Sequence, residues 1–210
     1  MVRGMKANLL KEVGAELAST TAGTAADRLR ELQAGGLVEK GSPGRYGGVV
    51  ISNAGRVNAL LGFVFDPPSG ESRVAMVKRI RRLKLSVAVY NPRRSPLEFK
   101  DSAVAAFQFV EGLGINFASD LGTVLDGLVG SFRTSSFATW EAGSQADITV
   151  EFNGERSATV MIDRPHVNVA VVFIFEAKKA AAPSPVERIT RLHRIVFERL
   201  AANETAPDQG

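Results

Sequence analysis

Along residues 5–18 (MKANLLKEVGAELA), Leu10, Val13 and Leu17 fall on one helical face with Leu9 beside them. Lys6, Lys11, Glu12 and Glu16 fall largely elsewhere, which predicts an amphipathic helix that Gly14 weakens. Ser19-Thr20-Thr21-Ala22-Gly23 supplies turn and cap residues. A second helical pattern starts at Thr24, a candidate cap, carries Leu29 and Leu32 on one face, and stops at Gly35-Gly36. Leu37-Val38 needs a core. A Gly-rich basic tip (Gly41 to Gly48) and a β-branched run, Val49-Val50-Ile51, follow. Ser52 or Asn53 can cap a further helix, Ala54–Leu61.

Phe63–Gly70 (FVFDPPSG) breaks the pattern and predicts a domain boundary, with domains over 1–65 and 71–202. Val74, Val77, Ile80 and Leu83 then interleave at helical spacing with Arg73, Lys78, Arg79, Arg81, Arg82 and Lys84, a basic amphipathic helix. Leu85–Tyr90 reads as a strand, Asn91–Pro96 as a turn and Leu97–Lys100 as a second short strand. Ser102–Glu111 and Asn116–Phe132 read as helices. Asp147–Phe152 and Arg156–Ile162 alternate around Asn153-Gly154, a strong hairpin signal. Val167–Phe175 is apolar on both faces, as a buried central strand is. Lys178–Ser184 reads as a linker. Pro185 opens a last helix with Val186, Ile189, Leu192, Val196 and Leu200 on its apolar side. The fold class expected is α+β: a helical N-terminal module, then a mainly antiparallel sheet of about five strands flanked by helices.

Composition narrows the setting. The 210 residues are 45% hydrophobic and 23% charged, ordinary for a globular chain. No cysteine is present, so disulfides, thiolate metal sites and cysteine nucleophiles are excluded. The N-terminus has no apolar core of signal-peptide length, and no run is long enough to span a membrane. A cytoplasmic, prokaryotic protein is the expectation. The net charge of +4 is uneven. Residues 1–65 carry 8 basic and 5 acidic groups, residues 66–100 carry 9 and 3, and residues 101–210 carry 9 and 14. A basic first half joined to an acidic second half suits a DNA-binding end attached to a different module.

Helix, strand, flexible basic loop, strand, helix is the order of a winged helix. The first third of the chain resembles the MarR-like winged helix-turn-helix of bacterial regulators. Gly36-Leu37-Val38-Glu39-Lys40 matches that family's strand after the recognition helix, and Ile51-Ser52-Asn53-Ala54-Gly55-Arg56 matches its return strand and following helix. The chain departs from the family in having only 23 residues before Thr24, where two helices are usual. The resemblance implies that the helix from Thr24 enters the major groove, with DNA contacts from Thr24, Arg28 and Arg30. It implies wing contacts from Lys40, Ser42, Arg45 and Tyr46. Asp27 in the first turn would repel phosphate, although a carboxylate can accept from cytosine. Arg30 reads equally as a solvated residue pairing with Asp27 or Glu31. Lys78, Arg79, Arg81 and Arg82 are candidates for further phosphate contacts, or for the wet face of a helix packed on a sheet.

Over residues 72–201 the element order resembles the roadblock and longin-like α+β domains. That resemblance implies a homodimer, with partners such as a small GTPase or scaffold, or a sensor role. Two functions therefore stand side by side: a transcriptional regulator binding double-stranded DNA, and a protein-interaction module whose winged helix contacts protein.

No catalytic constellation is legible, so the reading is not an enzyme, with no cofactor and no metal. His166 and His193 lie in different elements without metal-binding spacing, His166 as a turn residue and His193 on the last helix. Asp147, Glu151 and Asp163 lie near strand ends, where solvated carboxylates are the default. Gly112-Leu113-Gly114 begins a dinucleotide-binding pattern, but Phe117 stands where the third glycine belongs. Trp140 with Phe132 and Phe137 reads as core. An apolar effector pocket between helix and sheet is compatible with this pattern.

Overall fold

The computed structural model describes residues 7–40, 49–92, 99–134, 136–141, 146–177 and 189–202. The class is α+β, and the chain forms two compact units, Met1–Lys78 with Glu198–Gly210, and Arg79–Phe197. The division falls within a helix, and the expected boundary at Phe63–Gly70 lies inside the first unit. Among the described residues no helix is long and apolar enough to cross a membrane.

The first unit is helical. It contains α1 (Ala7–Leu17), α2 (Ala22–Ala34), α3 (Asn53–Val64), the start of α4 (Arg73–Arg81) and the end of α8 (Arg194–Ala201). The cap of α2 is Thr21, not Thr24: the Thr21 hydroxyl accepts from the Thr24 N–H at 3.1 Å, so the helix starts one turn earlier than expected. Gly35 and Gly36 end it, Gly36 at φ +71°, a conformation that costs a side-chain-bearing residue strain. Ser52 caps α3 by accepting from the Gly55 N–H at 3.0 Å. Every residue of α3 from Gly55 to Phe63 is buried, so this helix is the axis on which the unit packs. Gly14 of α1 lets the Phe63 ring approach to where a Cβ would sit 2.2 Å away, and Gly62 likewise admits Leu32 of α2. The helix-weakening cost of Gly14 is thus offset by close contact of α1 with α3. Leu37–Lys40 and Val49–Ile51 carry no strand ladder among the described residues, and the expected wing tip, 41–48, lies outside them.

The second unit is built on a five-stranded antiparallel sheet, in the order β1-β4-β3-β2-β5. The strands are β1 (Lys84–Pro92), β2 (Asp147–Asn153), β3 (Ser157–Arg164), β4 (Val169–Glu176) and β5 (Ile189–His193). Alternation places Ile148, Val150, Phe152, Val160, Ile162, Val171, Phe173 and Phe175 on the buried face. Three helices follow β1: α5 (Phe99–Val110), α6 (Leu121–Arg133) and α7 (Ser136–Glu141). The Phe107 and Phe117 rings lie against Phe173 of the sheet, with centroids at 5.6 and 4.4 Å. Asp120 caps α6 through the Thr123 N–H at 3.0 Å, so Asn116–Ser119 form a turn rather than the expected first helical turn. Ser102 of α5 satisfies the outer edge of β1, accepting from the Tyr90 N–H at 2.6 Å and donating to the Tyr90 carbonyl at 3.2 Å.

Five strands were expected, but their membership differs. Phe99 and Lys100, read as part of a short strand, begin α5. Ile189–His193, read as helix, is β5, paired with the edge of β2 from Thr149 to Asn153. The spacing of Ile189, Leu192 and Val196 fits a helix, but the vacant edge of β2 offers main-chain pairing that local periodicity does not register. The expected helix therefore begins only at Arg194; Pro185 and Val186, and the linker 178–184, lie outside the described residues. The Asn153-Gly154 hairpin forms as expected, with Asn153 opposite Ser157 and Gly154 at φ +56°.

Candidate nucleic-acid interface

Alternation along α2 separates a buried row, Ala25, Leu29 and Leu32, from an exposed row that includes Thr24, Asp27, Arg30 and Glu31. Thr24 is exposed, its hydroxyl 3.0 Å from that of Thr21. Arg30 is 73% exposed and pairs with Asp27 one turn earlier, so its local alternative is realised. Lys40 is exposed at the end of the segment leaving α2. Ser42, Arg45 and Tyr46 lie outside the described residues.

Arg28 does not join the outward row. Its side chain is 17% exposed; one Nη donates to the Phe63 carbonyl and Nη2 donates to Asp66 Oδ1 at 2.7 Å. The expected base contact is replaced by a cap on the C-terminal end of α3. Arg73 completes that cap. Its Nη1 donates to the Gly62 and Phe65 carbonyls, both at 2.6 Å, while Glu31 accepts from its Nε at 3.2 Å and its main-chain N–H at 2.9 Å. The last carbonyls of a helix lack intrahelical donors and carry its negative dipole end, which is why two guanidinium groups gather there.

At the other end of α3, Arg56 is fully buried. Its Nε donates to the Ile51 carbonyl at 3.1 Å, and its Nη1 to the Leu200 carbonyl at 2.5 Å and the Ala202 carbonyl at 3.4 Å. Arg56 and Arg73 are thus two structural cations that the sequence reading did not single out. For Arg56 the signal available was an arginine within an otherwise apolar helical run, where a charge must find partners.

The basic helix α4 divides similarly. Lys78 and Arg82 are exposed. Arg79 pairs with Glu155. Arg81 meets Asp126 through two bonds, 2.9 and 2.6 Å, and Gly122 makes room for it: a Cβ there would lie 2.7 Å from Arg81 Nε. Of the four candidates for extra phosphate contacts, two are engaged by carboxylates of the same unit.

The other candidate groups are dispersed. His166 sits exposed in a short 3₁₀ turn, Pro165–Val167, and His193 is exposed on β5 rather than on a helix. Asp147 and Asp163 face each other across β2 and β3, whereas Glu151 accepts from Arg191 Nε at 2.6 Å. Among the described residues no three His, Cys, Asp or Glu side chains come together to hold a metal. Trp140 donates to the Phe109 carbonyl at 3.1 Å and stacks edge-on with Phe109 and tilted on Phe137, while Arg164 lies 4.6 Å over its ring. Asp120 titrates below the ordinary carboxylate value. Its partial burial opposes this shift, and the Thr123 hydrogen bonds together with Lys84 and Arg81 overcome it. A shallow hollow of about 670 Å³ opens beside α5, floored by Phe107 and Phe117.

No family model, curated protein or solved structure matches the chain.

Proposed function

We propose that the helical unit binds duplex DNA, and that the protein is a transcriptional regulator whose sheet unit serves dimerisation or effector sensing. The observation that carries this reading is the outward row of α2, with Thr24 and Arg30 exposed on a Thr21-capped helix and Lys40 exposed beyond its C-terminal end. Thr24, Arg30 and Lys40 are the proposed contacts, together with Ser42, Arg45 and Tyr46 from the sequence of the expected wing. Arg28 is withdrawn from the contact set because its guanidinium serves α3. Two copies would read a palindrome with half-sites about one helical turn apart.

The test is fluorescence anisotropy of a labelled mixed-sequence duplex, titrated across salt. Lys40→Ala and Arg45→Ala should each weaken binding and reduce the log–log salt slope by about one. Absence of measurable affinity even at low salt, with the protein folded, would defeat the proposal. A second reading, a protein-interaction module, is favoured by Asp27 and Glu31 in the outward row of α2 and by the pairing of Arg79 and Arg81 with acids. It predicts no retention on DNA and a stable complex with a protein partner.

A further inference from the structure

An antiparallel sheet with one solvated face alternates apolar and polar side chains. β2 obeys this rule, turning Ile148, Val150 and Phe152 inward and Asp147, Thr149, Glu151 and Asn153 outward. β4 does not. Its Val171, Phe173 and Phe175 are buried, yet Ala170, Val172 and Ile174 face the other way, the pattern of a strand covered on both sides. Its neighbours extend the outward apolar surface. Register sets Val87 of β1, Ile174 of β4 and Thr159 of β3 in one row, and Val89, Val172 and Met161 in the next. Both rows continue into polar residues, the first into Glu151 and Arg191, the second into Thr149 and His193. The outward apolar patch is thus centred on β1, β4 and β3.

No member of this patch is buried: Val87, Val89, Val172 and Ile174 are half-buried, and Met161 is 38% exposed. The aromatic contacts with the sheet, Tyr90 with Phe109 and Phe173 with Phe107 and Phe117, lie on the opposite face. The two rows carry no charge within β1, β4 and β3, and Glu151 at their border accepts from Arg191 within the same face. The patch therefore offers no handle to a partner recognised by charge, whereas two copies of a chain of net charge +4 can meet there without opposing like charges. Its layout also suits self-association, because β4 is the middle of the three strands. A two-fold axis along β4, between two sheets packed face to face, sets β4 over its own copy and β1 over β3. Val172 then meets its own copy and Val89 meets Met161. β2 and β5 project beyond the overlap, which is where the outward side chains turn polar. Three overlapping strands cover roughly 15 by 25 Å, a small interface that holds a weak, concentration-dependent dimer.

We infer that the outward face of β1, β4 and β3 is the interface of a homodimer, covered by a second copy of this chain. The inference rests on the reading that the sheet unit serves dimerisation, and does not depend on DNA. Sedimentation velocity of the full-length protein, from micromolar to near-millimolar concentration, should show a monomer–dimer equilibrium. Val172→Lys should raise the dissociation constant about tenfold or more, whereas His193→Lys, outside the overlap, should change it less than about twofold. Thermal melts report whether each variant is folded, and if Val172→Lys is not, Met161→Lys at the most exposed position of the patch takes its place. The chain has no cysteine, so Val172→Cys and His193→Cys each install a single thiol. Under mild oxidation Val172→Cys should cross-link as a dimer well ahead of His193→Cys. A monomer at every concentration would overturn the interface and the dimerisation reading together. A dimer left intact by the folded lysine variants, or cross-linking no faster at 172 than at 193, would overturn this interface alone and assign dimerisation to another surface.

Discussion

In the helical unit, Arg28, Arg56 and Arg73 aim their guanidinium groups at main-chain carbonyls near helix ends. In the sheet unit, Arg79, Arg81 and Arg191 meet carboxylates, and Arg164 and Arg194 lie over aromatic rings. Burial separates the two sets at their extremes. Arg56 is 0% and Arg73 8% exposed, and most acceptors they reach are orphan carbonyls, with the Glu31 carboxylate also accepting from Arg73. Arg191 keeps 60% of its side-chain surface and meets Glu151 across strands, an interaction that water largely screens. One residue type is therefore a structural bolt in one unit and mostly a surface partner in the other, and a count of basic residues does not distinguish the two.

The comparison breaks most sharply at Arg56. Arg56→Ala should destabilise the protein by about 3–5 kcal/mol, since it leaves several buried carbonyls without donors and opens a void. Chemical denaturation followed by circular dichroism measures it, and a loss under about 1 kcal/mol would mean that water replaces the clasp. Arg28→Ala is expected to cost roughly 1–3 kcal/mol, with any loss of duplex affinity following the loss of folded protein. A pure affinity defect at unchanged stability would return Arg28 to the DNA interface.

The smallest effect concerns Asp120, whose carboxyl titrates below its unfolded value. A depressed native pKa stabilises the fold above the unfolded pKa, near 3.9, and that contribution disappears as pH falls through the native value. Asp120→Asn keeps a competent cap but removes the charge. The wild-type protein should exceed the variant slightly near neutral pH, and the gap should close in acid. Melts across pH 2 to 7 follow the convergence, and a gap that widened in acid would reverse the sign of the assignment.

Much of the architecture was legible because it follows from local chemistry. The periodicity of Leu10, Leu29 and Leu32, the Gly35-Gly36 stop, the Ser52 cap and the Asn153-Gly154 turn each act within a few residues. The alternation of β2, β3 and β4 likewise announced a sheet with one buried face. The site was less legible. The side chain of Arg28 occupies a position on α2 that could point outward or inward, and the choice depends on Phe63 and Asp66, more than thirty residues away.

By itself the sequence determined the α+β class, the helical start, the central hairpin and the absence of thiol chemistry, because propensity, capping and hydrophobic period are properties of neighbours in the chain. Tertiary structure alone decided that Ile189–His193 pairs as a strand with β2, that α3 becomes the buried axis of its unit, and that Arg28, Arg56 and Arg73 serve carbonyls. Those outcomes depend on unsatisfied main-chain groups presented by distant segments, and a vacant strand edge or a bare helix end has no local signature at the residue that comes to fill it.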